Sequence, residues 1–323
     1  MNKAIWVEAV GGPDVLQWSD HEVGRPGPGQ LMIRQHAAGL NYIDVYHRTG
    51  LYPKSLPFVP GVEGAGEIIA IGDGVAGFSI GDRIAYAGPI GGYAEERLID
   101  ADKVVRLPNS IDFDQAAAMM LQGMTAQMLL RSVYPVAAGD TILVHAAAGG
   151  VGLILCQWAK ALGATVIGTV GSKAKAGLAA AHGCDHPIIY TKQDFVAEVA
   201  RITGGSKLSV VYDSVGRDTF LKSLDCLRPR GLMVSFGQAS GPIEPLNLGL
   251  LAQKGSLFVT RPTLFTYMAT HSELQASADE LFDIVASGKV KVEVRQRFAL
   301  RQASEAHRAL ENRETSGSTI LTI

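Results

Sequence analysis

Short apolar runs alternate with helical ones between residues 141 and 260, and this alternation limits the possible folds more than any other feature of the chain. Strands are predicted at 141–146, 165–170, 188–190, 208–212, 232–236 and 256–260. Helices are predicted at 151–162, 173–182, 195–203 and 218–227. Because the strands are apolar at nearly every position, both of their faces are expected to be buried. The pattern predicts an α/β domain with a doubly wound, six-stranded parallel sheet.

A run of small residues follows the first predicted strand. Ala147-Ala148-Gly149-Gly150-Val151-Gly152 allows a tight turn, a close approach of a pyrophosphate to the backbone, and packing of the next helix on the sheet. The N-terminus of that helix offers unpaired N–H groups to the anion. The run therefore predicts a Rossmann-type dinucleotide site, with Gly149, Gly150, Val151 and Gly152 around the pyrophosphate.

The end of the second predicted strand indicates which dinucleotide is bound. NAD-specific sites have an acidic side chain there, which bonds the ribose hydroxyls. This chain instead continues Val170-Gly171-Ser172-Lys173-Ala174-Lys175. A hydroxyl and two ammonium groups suit a 2′-phosphate, whereas a carboxylate would repel it. Lysines near a helix N-terminus oppose the helix dipole, so their position also indicates an anion. The predicted cofactor is NADPH.

The rest of the chain has a different pattern. Short alternating strands punctuated by Gly and Pro are predicted at 31–37, 64–71, 83–86 and 93–98, which indicates an antiparallel, barrel-like domain. An uncharged helical run at 115–130 would join this domain to the sheet domain. After residue 261 the order helix, strand, helix, strand returns and is expected to complete the first domain. The predicted domains are 1–124 with 262–323, and 125–261.

Charge and cysteine content exclude several classes of partner. The net charge is −2 and the basic residues are scattered, so neither nucleic acid nor a membrane surface is an expected partner. The uncharged run 141–159 is long enough to span a bilayer, but glycines interrupt it. Three cysteines lie far apart, without the spacing of a metal site or a disulfide framework, which favours the reducing cytoplasm.

The run 139–152, continued by Gln157 and Lys160, resembles the signature segment of the quinone oxidoreductase/zeta-crystallin family within the medium-chain dehydrogenase/reductase superfamily. Segments 11–13, 39–44, 60–66, 81–83 and 212–216 also match that family in the same order. The resemblance covers the whole chain. It implies that the barrel-like domain is GroES-like and that the protein is an NADPH-dependent quinone reductase.

Catalytic zinc is not expected. Zinc alcohol dehydrogenases of the same superfamily have a cysteine ligand in the first domain and a histidine in a Gly-His-Glu triplet. This chain has Asn41 near the first position and Val62 in the triplet Gly61-Val62-Glu63. Neither side chain replaces a thiolate or an imidazole as a zinc ligand. His145, beside the glycine loop, is predicted to be a packed or backbone-bonded residue rather than a base.

The resemblance also implies positions for the cofactor-binding residues. It places Asn41 and Thr125 near the nicotinamide. The 2′-phosphate side would be surrounded by Gly171, Ser172, Lys175 and Tyr190. The resemblance adds Arg313 near the C-terminus and, at the carboxyl edge of the sheet, Ser214, Val215, Phe236 and Gly237. Structural roles stay open for two of them, since Tyr190 is also consistent with packing and Arg313 with a surface charge.

Reduction of a quinone needs orientation, exclusion of water and a donor to the developing phenolate oxygen. Asn41, Tyr46 and Tyr52 are the candidate catalytic residues, because their segment is expected to face the cleft and a tyrosine hydroxyl can donate. Both tyrosines are equally consistent with lining an apolar pocket. Hydride transfer and one-electron transfer both stay open.

Two other functions are consistent with the sequence. One is NADPH-dependent reduction of activated C=C bonds, as in enals or enoyl thioesters, and the other is NADPH binding without catalysis. The last apolar strand, at 256–260, would leave an exposed sheet edge that a second copy can cover. A homodimer is therefore predicted.

Overall fold

The computed structural model describes residues 2–323, which form two compact units. The first unit contains the residues up to Met124, Met268–Ala286 and Val292–Ile323. The second unit contains Thr125–Tyr267 and Ser287–Lys291. The functional domain boundaries expected from the sequence, 1–124 with 262–323 and 125–261, stay a prediction.

The two units share one numbering of elements in chain order. The strands are β1 (Asn2–Val7), β2 (Leu16–His21), β3 (Gln30–Gly39), β4 (Glu63–Ile71), β5 (Arg83–Ala87), β6 (Glu96–Asp100), β7 (Val105–Arg106), β8 (Thr141–Val144), β9 (Thr165–Val170), β10 (His186–Ile189), β11 (Leu208–Asp213), β12 (Leu227–Ser235), β13 (Phe258–Thr260), β14 (Val294–Ala299) and β15 (Ser318–Thr322). The α-helices are α1 (Tyr42–Arg48), α2 (Phe113–Ala117), α3 (Met120–Gln127), α4 (Gly150–Ala161), α5 (Lys173–Ala181), α6 (Phe195–Ile202), α7 (Phe220–Ser223), α8 (Gly249–Gln253), α9 (Leu264–Tyr267), α10 (His271–Ala286) and α11 (Ala303–Glu311).

The second unit is built on a six-stranded sheet in which all neighbouring strands are parallel. Its spatial order is β10-β9-β8-β11-β12-β13. Successive strands are added toward one edge from β8 to β10 and toward the other edge from β11 to β13, so the strand order reverses between β8 and β11. Sheets of this kind bind ligands outside the carboxyl ends of their strands, at the reversal point. The predicted doubly wound Rossmann sheet is confirmed.

The core of the second unit follows from the apolar strands. Leu143, Ile167, Val211 and Met233 come from four neighbouring strands, and each is fully buried in one cluster with Phe195 of α6. Burying a side chain of this size stabilises the folded state by about 1.5–3 kcal/mol. The sheet is thereby a rigid base for the loops at its carboxyl edge.

Several predicted boundaries in this unit were wrong, and three of them concern the first strand, the helix at 218–227 and strand β12. The first strand ends at Val144 rather than at residue 146, because residues 145–148 form a turn in which Ala146 has a φ of 54°. The helix predicted at 218–227 is the single turn α7 followed by the 3₁₀ turn Leu224–Cys226. Strand β12 starts at Leu227, five residues before the apolar run that predicted it.

The first unit contains a seven-stranded sheet in the order β14-β15-β3-β4-β5-β7, with β6 also paired to β3. The pairs of β3 with β4, β6 and β15 are antiparallel, as are β4 with β5 and β5 with β7. Strands β14 and β15 are parallel, which the antiparallel prediction did not foresee. Their connection contains helix α11, and parallel neighbours require such a crossover.

The helical run predicted at 115–130 is broken. Helix α2 ends before Ala118, α3 begins at Met120, and a π-helical segment, Met128–Val133, follows. The break directs the N–H of Leu121 to the buried Glu63 carboxyl group, at 2.8 Å. Among the helices of residues 2–323, none is both long enough and apolar enough to cross a membrane.

Candidate functional site

The loop between β8 and α4 has the shape that a pyrophosphate needs. Helix α4 begins at Gly150 with Gly149 as its N-cap, and no side chain caps it, so the first N–H groups are left for a ligand. A Cβ on Gly152 would lie 2.3 Å from the carbonyl oxygen of Ala146, so only glycine fits there. These residues fit the pyrophosphate of a dinucleotide.

The loops after β9 and β10 lie beside each other at the same edge of the sheet. Ser172 is the N-cap of α5, and its Oγ accepts a hydrogen bond from the Lys175 backbone N–H at 3.3 Å. A Cβ on Gly171 would lie 3.0 Å from the phenolic oxygen of Tyr190. The structure thus brings Gly171, Ser172 and Tyr190 together, with Lys175 in the first turn of the helix. Residues 165–184 contain no Asp or Glu, so no carboxylate of this segment repels a 2′-phosphate.

Asp213 forms hydrogen bonds with both of the loops that follow β11 and β12. Its Oδ1 accepts a hydrogen bond from the Val215 N–H at 2.7 Å, and its carbonyl oxygen accepts one from the Phe236 N–H at 2.8 Å. A Cβ on Gly237 would lie 2.7 Å from the carbonyl oxygen of Ser214. The four residues expected here are therefore neighbours at the edge where the strand order reverses.

Sequence reasoning assigned no role to Asp213 or to Arg261. The Arg261 guanidinium donates to the carbonyl oxygens of Gly237, at 2.8 Å, and Ser235, at 3.1 Å. Asp213 had a recognisable signal, because it is an acidic residue at the end of an apolar strand, directly before a loop. Arg261 had no such signal, since the carbonyl oxygens of Ser235 and Gly237 and the Ser235 hydroxyl lie about 25 positions earlier in the chain.

His145 is packed inside the second unit, and the partners of its ring nitrogens are side-chain hydroxyls rather than backbone atoms. Its ring is buried, and its two nitrogens lie 2.8 Å from the hydroxyl oxygens of Thr169 and Ser223. Burial lowers the pKa of His145, and the charge of Asp213 opposes this shift. Both nitrogens are therefore engaged inside the second unit.

A hydrogen-bonded chain holds Asn41 in the first unit. Ser318 Oγ donates to Gln122 Oε1 at 2.6 Å, and Gln122 Nε2 donates to Asn41 Oδ1 at 3.1 Å. Asn41 Nδ2 then donates to Glu63 Oε2 at 2.6 Å, and the Leu121 N–H donates to Glu63 Oε1 at 2.8 Å. All four side chains are at most 7% exposed. Glu63, Gln122 and Ser318 were missed at the sequence level.

Two buried carboxyl groups lie close to Asn41. Burial raises the pKa of Glu63 to about 8, although the Asn41 side chain and the Leu121 N–H oppose the rise. Burial also raises the pKa of Asp44 to about 7. Asp44 accepts hydrogen bonds from the Asn41 backbone N–H at 2.9 Å and from the Tyr93 hydroxyl at 3.0 Å. Near neutral pH, this part of the unit therefore contains carboxyl groups that are protonated in part.

The remaining predicted residues lie on α1 and α3 or in the segments that follow α1 and α11. Tyr46 is buried on α1, and its ring lies 5.1 Å from the half-buried ring of Tyr52 in an edge-to-face arrangement. Arg313 follows α11. Burial raises the pKa of Tyr42 and the charge of Arg313 opposes the rise, which places Arg313 near that side chain. Thr125 is half-buried on α3.

The positions that hold zinc in related alcohol dehydrogenases have a different chemistry here. Val62 is 1% exposed and provides no lone pair, and the Asn41 amide is engaged with Gln122 and Glu63. Within residues 2–323, no group of three or more His, Cys, Asp or Glu side chains is arranged to hold a metal ion. Cys156, Cys184 and Cys226 are buried free thiols.

Two family models match the chain. The model for the alcohol dehydrogenase GroES-like domain matches residues 27–109, and the model for zinc-binding dehydrogenases matches residues 150–283. A quinone oxidoreductase of Pseudomonas aeruginosa is 54% identical over 323 residues, which is 99% of each chain. A crystal structure of an Escherichia coli quinone oxidoreductase complexed with NADPH superposes with a TM-score of 0.98 at 48% identity, and the alignment covers 99% of this chain and 100% of that one.

One relative has a different name. A 2-haloacrylate reductase of a Burkholderia species is 45% identical over 330 aligned positions, which cover 99% of each chain.

Proposed function

We propose that this chain, which belongs to the zinc-independent quinone oxidoreductases of the medium-chain dehydrogenase/reductase superfamily, is an NADPH-dependent quinone reductase of the zeta-crystallin-like branch. The observation that carries the proposal is full-length similarity to a quinone oxidoreductase at 54% identity. Residues 1–124 with 262–323 are proposed as the catalytic domain, and 125–261 as the dinucleotide-binding domain.

The second unit is proposed to bind NADPH at the carboxyl edge of its sheet. The uncapped N-terminus of α4 suits the pyrophosphate, and the Ser172–Lys175 turn suits the 2′-phosphate. The E. coli quinone oxidoreductase of the same fold was crystallised with NADPH. The proposed cofactor contacts are Asn41, Thr125, Gly149, Gly150, Val151, Gly152, Gly171, Ser172, Lys175, Tyr190, Ser214, Val215, Phe236, Gly237 and Arg313.

The first unit is proposed to orient the quinone. NADPH supplies the reducing equivalents when it is bound. Negative charge then develops on a quinone oxygen, and a hydroxyl that donates to that oxygen stabilises it. Tyr46 and Tyr52 are assigned this role, because their rings pack against each other and each carries a hydroxyl. Asn41 is assigned to the nicotinamide end of the cofactor.

Reduction of an activated C=C bond is the second candidate function. The 2-haloacrylate reductase is 45% identical over nearly the full chain, and its substrate is an activated alkene. That reaction has to deliver a proton to carbon, so a tyrosine hydroxyl becomes essential rather than orienting.

A homodimer and a cytoplasmic location are also proposed. Strand β13 is an edge strand of the six-stranded sheet, and its Phe258 and Val259 are 60% and 37% exposed. An exposed apolar edge supports pairing with a second copy. Sedimentation of the wild-type protein at micromolar concentration is expected to give the mass of a dimer. The Val259→Lys variant is expected to sediment as a monomer. A monomeric wild-type protein contradicts the proposal. The three buried free thiols are consistent with a reducing compartment.

NADPH oxidation against a panel of acceptors tests the proposed function. The panel contains quinones, enals, enoyl thioesters and 2-haloacrylates, each assayed with NADPH and with NADH. The expected result is rapid oxidation of NADPH with quinones. Turnover only with the alkenes supports the second candidate, and NADPH binding without turnover on any acceptor refutes both.

A further inference from the structure

The orientation of the Asn41 side-chain amide is determined by two neighbours that the reaction does not itself require. We propose that Glu63 and Gln122 are positioning residues, which fix the Asn41 amide with its nitrogen toward Glu63 and its oxygen toward Gln122. They thereby set which atoms of the amide meet the nicotinamide end of NADPH. The inference rests on the proposed function, because that function places Asn41 beside the nicotinamide.

The hydrogen bonds around Asn41 oppose the reversed amide. If the amide of Asn41 turned over, its oxygen would face Glu63 Oε2 and its nitrogen would face Gln122 Nε2. Two acceptors and two donors would then be opposed in a buried site, and each lost partner costs the desolvation of a polar group. Protonation of Glu63 removes only the first conflict. The second is removed only if the Gln122 amide also turns over and donates to Ser318 Oγ, so reversal requires a proton on Glu63 and a concerted turn of two amides.

The surrounding backbone keeps the Glu63 carboxyl group in its position. The Leu121 N–H, in the first turn of α3, bonds its other oxygen at 2.8 Å. A Cβ on Gly39 would lie 2.0 Å from Glu63 Oε2 and 2.4 Å from the carbonyl oxygen of Ala117, so only glycine leaves room for this carboxyl group. The Glu63 carboxyl group on β4 is therefore enclosed by the backbone of β3 and of the adjoining ends of α2 and α3.

Two contacts of the amide leave half of its bonding capacity for a ligand. The bonds to Glu63 and Gln122 use one of the two N–H groups and one of the two lone pairs of Asn41. The other N–H and the other lone pair have opposite polarity, so a reversed amide would present a donor where the ligand needs an acceptor. Orientation of the amide is therefore a property that affects cofactor binding.

An exchange of the two neighbours tests the proposal. Glu63→Gln and Gln122→Glu are made singly and together. Gln122→Glu places a carboxylate against the Asn41 oxygen and is expected to lower the free energy of unfolding. Glu63→Gln is expected to lower it less, because Asn41 and Gln122 can turn over together and Gln122 can then donate to Ser318 Oγ. In the double variant, Gln at 63 can donate to the Asn41 oxygen, and Glu at 122 can accept from the Asn41 nitrogen and from the Ser318 hydroxyl. All bonds are then satisfied, with the Asn41 amide reversed.

The measurements are the midpoint of urea unfolding and the dissociation constant of NADPH. We expect the double variant to recover the wild-type unfolding midpoint but to bind NADPH about tenfold more weakly, the factor expected for loss of about one hydrogen bond. The matched control ligand is the 2′-phosphorylated ADP-ribose fragment, which lacks the nicotinamide. Its affinity is expected to be equal in all four proteins.

Several results overturn the proposal. A double variant that recovers both stability and NADPH affinity shows that the two residues are only structural. A double variant that does not recover stability contradicts the assigned bond directions, and equal weakening of NADPH and the fragment shows general damage. A wild-type protein that binds NADPH but reduces no quinone refutes the proposed function alone, because the affinities still report the orientation of the amide.

Discussion

Replacement of Lys175 by alanine removes a cation from the first turn of α5, next to the Ser172 N-cap. In the proposed complex, the ammonium group forms a charge-assisted hydrogen bond to the 2′-phosphate. Such a bond contributes about 1.5–3 kcal/mol, which corresponds to a loss of roughly 10- to 150-fold in NADPH affinity. Lys175 is half-buried, so part of this energy is screened by solvent, and the lower half of the range is the expected one.

The assay is titration of intrinsic or nicotinamide fluorescence with NADPH and, separately, with NADH. NADH lacks the 2′-phosphate, so its affinity is expected to change by less than about twofold in Lys175→Ala, which is the usual size of the effect of a surface substitution. Lys173→Ala is the matched control, because Lys173 lies in the same turn but is exposed. Equal weakening of NADPH and NADH, or an equal effect of the control, refutes the assignment of Lys175 to the phosphate.

Three other changes have expected outcomes. Gly152→Ala is expected to abolish NADPH binding and to lower the free energy of unfolding by about 1–3 kcal/mol, since its Cβ would overlap the Ala146 carbonyl oxygen. The control Gly177→Ala has open space around its Cβ and is expected to bind NADPH normally. Tyr46→Phe and Tyr52→Phe each remove a proposed donor to the quinone oxygen and are expected to lower kcat for quinones by about tenfold; an unchanged kcat in both variants would contradict that role, and a loss of about a thousandfold or more would indicate proton transfer. Burial lowers the pKa of His307 from 6.5 to about 3, so the unfolded state binds a proton that the folded state does not, and stability is expected to fall as the pH decreases from 6.5 towards 3. Urea unfolding of His307→Gln should show a shallower decrease over that range, and an unchanged slope would contradict the argument.

The parallel sheet was predictable because its information is local. Strand β9 and the start of α5 match the predicted bounds, since an apolar run ends at Gly171 and Ser172 then caps the helix. Strand β10 begins at His186, two residues before the prediction, because it pairs with β9 through a polar residue and a proline that carry no strand signal. Pairing with a neighbour, rather than propensity, decided that boundary.

The surroundings of Asn41 were not predictable in the same way. Ser318 and Gln122 are 196 positions apart in the chain, and neither belongs to a motif. In the sequence, Glu63 is recognisable only as part of the triplet in which Val62 replaces a histidine, and that pattern concerns a metal ligand rather than a hydrogen-bonded carboxyl group. A bond between distant buried side chains becomes visible only when the fold brings the two positions together.

Quinone reduction by chelator-treated protein measures whether the enzyme works without zinc and whether it prefers NADPH. Initial rates of NADPH and NADH oxidation are measured with one quinone, on protein in which elemental analysis finds no stoichiometric zinc. We expect full activity without added metal. We also expect kcat/KM to be about tenfold or more higher with NADPH than with NADH, the factor expected from one charge-assisted phosphate contact. Activity that requires added zinc, or equal kcat/KM for the two dinucleotides, would contradict the proposed function.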